Sequence, residues 1–531
     1  MTAIPKIPPI PDAEQTPLVN ALLEIIRIQQ AQIQELRDEI ARLKGQKPKP
    51  KIKPSALEKE PQRKCNAGTS KKRPGSAKRM TNDAIWIHDV KTLKAENVPP
   101  GSKRRGYEEF TVQGLILEVH NILYRRERWE TPEGDTIVAP LPDSVRFIGG
   151  HFDVSLHRFI LYQYYHCHVT QPLILEQLLE LGVEISAGQV NRIITEGKES
   201  FHEEKDEILR VGLEISDYIN VDDTGARHKG KNGYCTHIGN EFFAWFESNQ
   251  TKSRINFLSI LRAGNKDYVL NDAAFDYMKA HGIPRVRVEL IAECERTVFE
   301  DYAQWSAALE SLNINSEVHI RIMTEAALLG SILEHGCVNP DMVIVSDDAG
   351  QFDVLLHALC WIHAERSLLK LIPVNDAQRE ALEGARSLMW DFYRCLKIYK
   401  QTPGKKMKME LRERFEIIFT MNTCYTALNG ALLKIYGNKS ELLLVLDRPE
   451  IPLHNNTSET DIREYVKKRN ISGSTRSDLG RRCRDTFASL KKTCRKLGIA
   501  FWNYLNDRLS GHYIIPSLPT LMRQRVLQSP G

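Results

Sequence analysis

Two short apolar runs constrain the fold of this chain more than any other feature. Tyr218-Ile219-Asn220-Val221 and Met342-Val343-Ile344-Val345-Ser346 are compact and rich in β-branched side chains. Such runs read as strands buried on both faces, the kind that parallel pairs require. Each leads straight into a pair of acids, Asp222-Asp223 and Asp347-Asp348, while a third acid, Glu459, opens a helical pattern followed by a basic segment. A single aspartate at a strand end is commonly a solvated turn residue. Three acids at element ends beside a basic surface instead suggest metal-assisted phosphoryl transfer on a nucleic acid.

From residue 216 the periodicity reads βββαβ. Tyr218–Val221 is followed by Gly233–Ile238, a turn at Gly239-Asn240, then Glu241–Phe246 and a helix over Ile255–Leu261. Gly-Asn between alternating runs is a hairpin signal. Met342–Ser346 supplies a fourth strand, and a fifth is expected near His357–Trp361. Three antiparallel strands, a helix and then parallel strands is the ribonuclease H-like order. The expected fold is therefore α/β: a mixed five-stranded sheet with helices over 216–490. Insertions are expected at 262–337 and 375–445, the latter with helices near Ala381–Trp390 and Lys408–Ile418, and a helical tail at 491–531.

Upstream, 1–15 is expected to be a disordered proline-rich start. Val19, Leu22, Ile26, Gln29, Ile33, Leu36, Ile40 and Leu43 form a heptad within 16–45. Isoleucine or valine at a and leucine at d favour a parallel two-stranded coiled coil, so a homodimer through 19–43 is expected. Residues 46–105 are a basic linker too poor in apolar residues to fold alone. Within the mixed and helical region 106–215, residues 173–181 and 186–194 form a helix–turn–helix-like hairpin, with Gly182 suited to the position after a helix and Ser186 to a cap. This is a candidate DNA-binding element. His166-Cys167-His168 is read as structural: on a strand its histidines share a face, the cysteine points away, and no further ligand pair follows.

Bulk properties narrow the class. Hydrophobic content of 42% and charged content of 27% suit a soluble globular chain, and the net charge of +5 is too small to identify a partner by itself. Ten cysteines without a C-x-x-C pair fit a reducing compartment. With neither a signal-like start nor a membrane-length apolar segment, the expected location is cytoplasmic, associated with the nucleoid when bound to DNA.

Two-metal phosphoryl transfer needs oxygen ligands around ions ~3.5–4 Å apart. Asp222 and Asp347 are the first acids after their strands and are chosen over Asp223 and Asp348, a choice open by one residue because alternation sends each neighbour to the other side. From Arg463 to Lys496 there are twelve Lys or Arg against three Asp or Glu. Lys467, Lys468, Arg469, Arg476, Arg481 and Arg482, around Ser472-Gly473-Ser474-Thr475, are candidate DNA contacts. Cys360 and His363 are half a zinc site at best, with His357 or Cys337 as conceivable partners. The favoured role for this pair is packing beside the active site.

The segment Ile451-Pro452-Leu453-His454-Asn455-Asn456-Thr457-Ser458-Glu459 through Arg463, with Lys468-Arg469-Asn470, resembles the glutamate block of DDE transposases of the insertion sequence 66 family. Ser489–Gly498 followed by Trp502-Asn503-Tyr504-Leu505 is similar to the family's downstream run, and Cys360-Trp361-Ile362-His363-Ala364-Glu365-Arg366 to its C-x-x-H signature. The resemblance implies a transposase that cuts at terminal inverted repeats and joins the freed 3′ ends to target DNA, with possible helper proteins. It also implies that Asp222, Asp347 and Glu459 hold two Mg²⁺ or Mn²⁺ ions, supported by Arg463 and Asn456. The chain departs from the pattern at His454 and Thr460. With only Cys65 where a cysteine-rich finger is usual, N-terminal zinc is not supported. A non-catalytic DNA-binding derivative and a nuclease without strand transfer are the rival readings.

Overall fold

The computed structural model describes Gln29, residues 86–94, Glu96, 99–142 and 150–528. The heptad (Gln29 apart), the lysine- and arginine-rich stretches of the linker and Cys65 lie outside the described residues. The chain divides into two units, 1–111 and 112–531. From Trp86 to Thr111 the described residues of the first unit form neither helix nor strand. The second unit carries all the elements that follow.

Its helical part begins with Val154–Leu161, which runs into a π-helical turn at Tyr162–His166. His166-Cys167-His168 is thus the end of a helical turn, not a strand. His166 stacks on Tyr162 at 4.4 Å, while His168, at φ 63°, turns towards Glu464, 3.8 Å away. Helices α1 (Gln171–Glu180) and α2 (Ala187–Thr195) form the hairpin. Gly182, at φ 87°, closes α1: its amide donates to the Leu179 carbonyl (3.0 Å) and the Val183 amide to that of Leu178 (2.9 Å). Ser186 and Gln189 cap α2 reciprocally. α3 (Glu199–Ile215) then leads to the sheet.

The sheet has five strands: β1 (Tyr218–Gly225), β2 (Tyr234–Gly239), β3 (Ala244–Asn249), β4 (Val343–Ser346) and β5 (Leu356–Leu359). Their spatial order is β3-β2-β1-β4-β5. β1, β2 and β3 pair antiparallel, while β1–β4 and β4–β5 are parallel. Helix α4 (Arg254–Leu261) follows β3.

Three sequence boundaries move. β1 continues through Gly225, so Asp222 lies inside the strand and not at its end. The hairpin turn is longer than Gly239-Asn240, and β3 begins at Ala244. There the Asn240 amide donates to the Phe243 carbonyl, and a side chain at Gly239 would meet that oxygen at 2.4 Å. β5 stops at Leu359 because Cys360 and Trp361 start the next helix.

The 262–337 insertion holds a two-strand ribbon, Tyr268–Val269 with Val298–Phe299, and four helices, the longest being α5 (Glu317–Glu334). After β5 come α6 (Trp361–Leu369), α7 (Asp376–Gln401), α8 (Lys405–Phe419), α9 (Asn456–Ser472) and α10 (Asp478–Lys496). The two helices expected in 375–445 are both longer than their apolar patterns.

Strand alternation divides the core. Ile219, Val221, Ile238, Trp245 and Ile344 join a core with α3, α4 and α5. Val343, Val345, Ala358 and Leu359 join a second core with Trp361, Phe392, Phe415 and Phe419.

The outer edge of β3 is closed by side chains. Asp485, Ser489 and Thr493 stand four residues apart on α10 and meet every second residue of β3. Asp485 Oδ2 accepts from the Ser248 amide (2.9 Å), Ser489 Oγ from Phe246 (2.9 Å) and Thr493 Oγ1 from Ala244 (3.2 Å). Four residues of helix rise about 6 Å and two of strand about 6.8 Å, so the two ladders stay in step. A free sheet edge is thereby satisfied without another strand.

Candidate active site

β1 and β4 set the first two acids side by side. The parallel register pairs Tyr218 with Val343, Ile219 with Ile344 and Asn220 with Val345. Two residues farther along, it sets Asp347 beside Asp222. Both fall on the Asn220–Val345 side of the sheet, where Asp222 lies opposite His237 of β2.

The neighbouring acids are engaged elsewhere. Asp223 points to the opposite face, where it accepts from Thr236 Oγ1 (2.6 Å) and Gln351 Nε2 (2.9 Å). Asp348 is exposed and pairs with Lys434 at 3.0 Å. Asp222 Oδ1 accepts the Asp223 amide (2.7 Å), while Asp347 Oδ1 is buried without a hydrogen-bond partner among the described residues.

Glu459 comes from the first turn of α9, which is fixed at its start. Asn455, fully buried, donates from Nδ2 to the Val221 carbonyl (2.7 Å), the residue before Asp222, and its amide donates to Cys360 Sγ (3.2 Å). Ser458 Oγ meets His237 Nδ1 at 2.8 Å, and Asp461 lies 3.3 Å from His237 Nε2. The buried side of α9 is thus Ser458, Asp461, Ile462, Tyr465 and Lys468, spaced as one helical stripe.

Glu459 faces away from that stripe and meets α6. Arg366 donates to its two oxygens at 2.9 and 3.5 Å, Arg463 reaches it at 3.5 Å, and His363 Nε2 stands 3.7 Å away. Burial pushes the Glu459 carboxyl up, but the Arg366 hydrogen bond and the adjacent positive charges hold it below its ordinary value. Asp222 goes the other way. Burial, then the charges of Asp347, Asp223 and Glu459, raise it to about 7 against the hydrogen bond from the Asp223 amide.

A hard divalent cation fits this set. The donors are three carboxylates, one with an unpartnered buried oxygen and one whose charged form is disfavoured by burial and its acidic neighbours.

The supporting residues divide. Cys360 caps α6, accepts from Asn455 and donates its own amide to the Ser346 carbonyl (2.9 Å), so it links β4 to α9. His363 is beside Glu459. Asn456 is exposed, in a surface pocket shared with Thr460 and Lys496, and the inward asparagine is Asn455. Arg366 and Asn455 are the functional candidates the sequence reading left out, although both lie inside motifs it singled out.

A zinc site from Cys360, His363, His357 and Cys337 does not assemble. His357 instead binds Ser346 Oγ (2.7 Å) and Glu441 (2.7 Å), and Cys337 contacts Asn265 and Arg262. Asp353, His357 and Glu441 form a separate group whose ligand atoms lie within 4.8 Å of one another.

The basic segment is only partly on the surface. Arg463, Lys467, Arg476 and Arg482 are exposed, and Arg481 pairs with Asp478 at 3.3 Å. Arg469 donates to Thr224 Oγ1 (3.3 Å) and to the Gly225 carbonyl. Lys468 is not on this surface: it falls on the buried stripe of α9, is 6% exposed, and donates to the Tyr164 carbonyl (2.9 Å). The loop 472–475 is pinned, with the Lys229 amide donating to the Thr475 carbonyl (2.8 Å) and His228 Nδ1 meeting Thr475 Oγ1 (2.8 Å).

Residues 343–482, which hold Asp347, the Cys360–Arg366 motif and Glu459, match the Transposase IS66 family. The chain is 47% identical over 313 residues to "Uncharacterized protein y4jO" of Sinorhizobium fredii (strain NBRC 101917 / NGR234), an alignment covering 58% of this chain and 97% of that protein. Among the described residues no helix is long and apolar enough to cross a membrane. The chain belongs to the IS66 transposase family.

Proposed function

We propose that this chain is a DDE transposase with a ribonuclease H-like core, cutting DNA at the ends of its element and joining the 3′ ends to target DNA. The observation that carries this reading is the convergence of Asp222, Asp347 and Glu459 from two adjacent parallel strands and one helix, while Asp223 and Asp348 are otherwise engaged. The strand order β3-β2-β1-β4-β5, antiparallel then parallel, supports the fold assignment.

Asp222, Asp347 and Glu459 would hold two Mg²⁺ or Mn²⁺ ions, which supply Lewis-acid activation of the attacking and leaving oxygens. The protein's own groups prepare that site. Asn455 and Cys360 hold α9 against β1 and β4, so the carboxylates keep their spacing without the cations' help. Arg366 neutralises and orients Glu459, and Arg463, which is mostly exposed, is placed to meet a DNA phosphate beside it. Exposed Lys467, Arg476 and Arg482 continue the same positive surface for the backbone. The α1–α2 hairpin is a candidate reader of the terminal repeats, and residues 19–43 a candidate dimer element.

The test is incubation with DNA carrying the element's own terminal repeats and Mg²⁺ or Mn²⁺. Cleavage with strand transfer supports the proposal. Cleavage without joining supports a nuclease, and binding alone a non-catalytic derivative.

A further inference from the structure

Lys468 and Arg484 are buried cations that make no ion pair among the described residues. They are 6% and 7% exposed. Nearby acids are engaged elsewhere: Glu464 with Lys491 and with Lys492 (2.7 Å), Asp461 with Lys492 (3.4 Å) and Lys496 (2.9 Å), and Asp485, whose charge also acts on Arg484, with Ser248 and the Tyr465 hydroxyl (2.9 Å each). Among the described residues no ion pair reaches Lys468 or Arg484.

Both side chains line a cavity between α9 and α10, walled also by Phe246, Tyr465 and the paired charges of Asp461 and Glu464 with Lys491 and Lys492, so that cations outnumber carboxylates around it by four to two. It offers ≈ 20 Å³ to the centre of a water-sized sphere, room for one small guest. Arg484 lies 4.8 Å from the Tyr465 ring centre, and its Nε and Nη2 are buried with no hydrogen-bond partner among the described residues. Lys468 Nζ sits 3.5 Å from the Tyr164 ring centre and has one donor committed to the Tyr164 carbonyl.

A guanidinium and an ammonium offer only donors, so the guest must accept hydrogen bonds. Water accepts them but leaves two like charges together in a poorly solvated place. A monovalent anion satisfies the donors and offsets the charge. The amine carries the same electrostatic signature: burial first, then the cations Lys491 and Arg484, draw Lys468 down to about 7.

We propose that this cavity binds a single monovalent anion of halide size, held by Lys468 Nζ and by Nε and Nη2 of Arg484. The anion would join α9, which carries Glu459 in its first turn, to α10, which closes the sheet edge. The site is a structural ligand site separate from the carboxylate trio.

Bromide is the probe. At constant ionic strength, made up with gluconate, the Tm of the full chain should rise by about 2 °C per tenfold increase in bromide once the site begins to fill. Lys468→Met, which keeps the aliphatic stem, should lose that dependence. An anomalous bromide peak between Lys468 and Arg484 in a bromide-soaked crystal supports the site without any variant. The proposal is overturned by a wild-type Tm indifferent to bromide, by an unchanged slope in K468M, or by ordered water there in place of bromide.

Discussion

Asn455 acts where three elements meet. One side chain and one amide tie the start of α9 to the carbonyl before Asp222 and to the thiol of Cys360, the residue that begins α6. Asn455→Ala should cost about 1–3 kcal/mol, the usual penalty for stranding a buried polar partner. It should also lower cleavage with little change in DNA affinity, which a filter-binding assay run beside the cleavage assay resolves. Arg366 is tested by Arg366→Gln. A residue that orients a metal-ligating carboxylate typically contributes about 10- to 100-fold, so activity should fall by that factor while the melting curve stays close to wild type. Glu464 carries a pH signature. Burial raises its carboxyl, but Lys491 and Lys492 outweigh that and bring it from 4.5 to about 2. Its stabilisation is therefore complete above pH 4.5 and is lost as pH falls towards 2. Glu464→Gln should destabilise the protein at neutral pH by about 3 kcal/mol, and stability against pH should flatten across that window.

At the scale of elements, α10 holds the most unexpected chemistry. Its polar residues Asp485, Ser489 and Thr493 satisfy the β3 edge, and its lysines Lys491 and Lys492 are buried in ion pairs. Ser489→Ala should strand the Phe246 amide and cost about 1–3 kcal/mol in urea unfolding without changing DNA affinity. The sequence made the strand elements legible because apolar β-branched runs have few alternatives; the pairing order followed from them. The inward use of the basic run was not legible. Composition from Arg463 to Lys496 reads as one surface, and only a helical phase distinguishes Lys468, on the stripe of Ser458, Asp461 and Tyr465, from exposed Lys467. The same phase would have chosen Asn455 over Asn456. The His166-Cys167-His168 turn escaped for another reason: Tyr162 and His166, stacked on each other, pack against Trp502 and Phe501, far away in sequence.

For the whole molecule, the sheet serves as the ruler. Parallel pairing of β1 with β4 makes the spacing of Asp222 and Asp347 a property of backbone register, and α9 is then held to β1 by Asn455 and to β2 by His237. The two insertions lengthen the chain between the acids without entering this register. The account's central claim is that these three carboxylates form one reaction centre. The most direct test is cleavage and strand transfer on terminal-repeat DNA with Mn²⁺, comparing wild type with Asp222→Ala, Asp347→Ala and Glu459→Ala at matched DNA occupancy. The account predicts that each variant binds DNA like wild type yet loses both steps by at least about 1,000-fold, or about 4 kcal/mol of transition-state stabilisation. Cleavage persisting at wild-type rate in any of the three would contradict it.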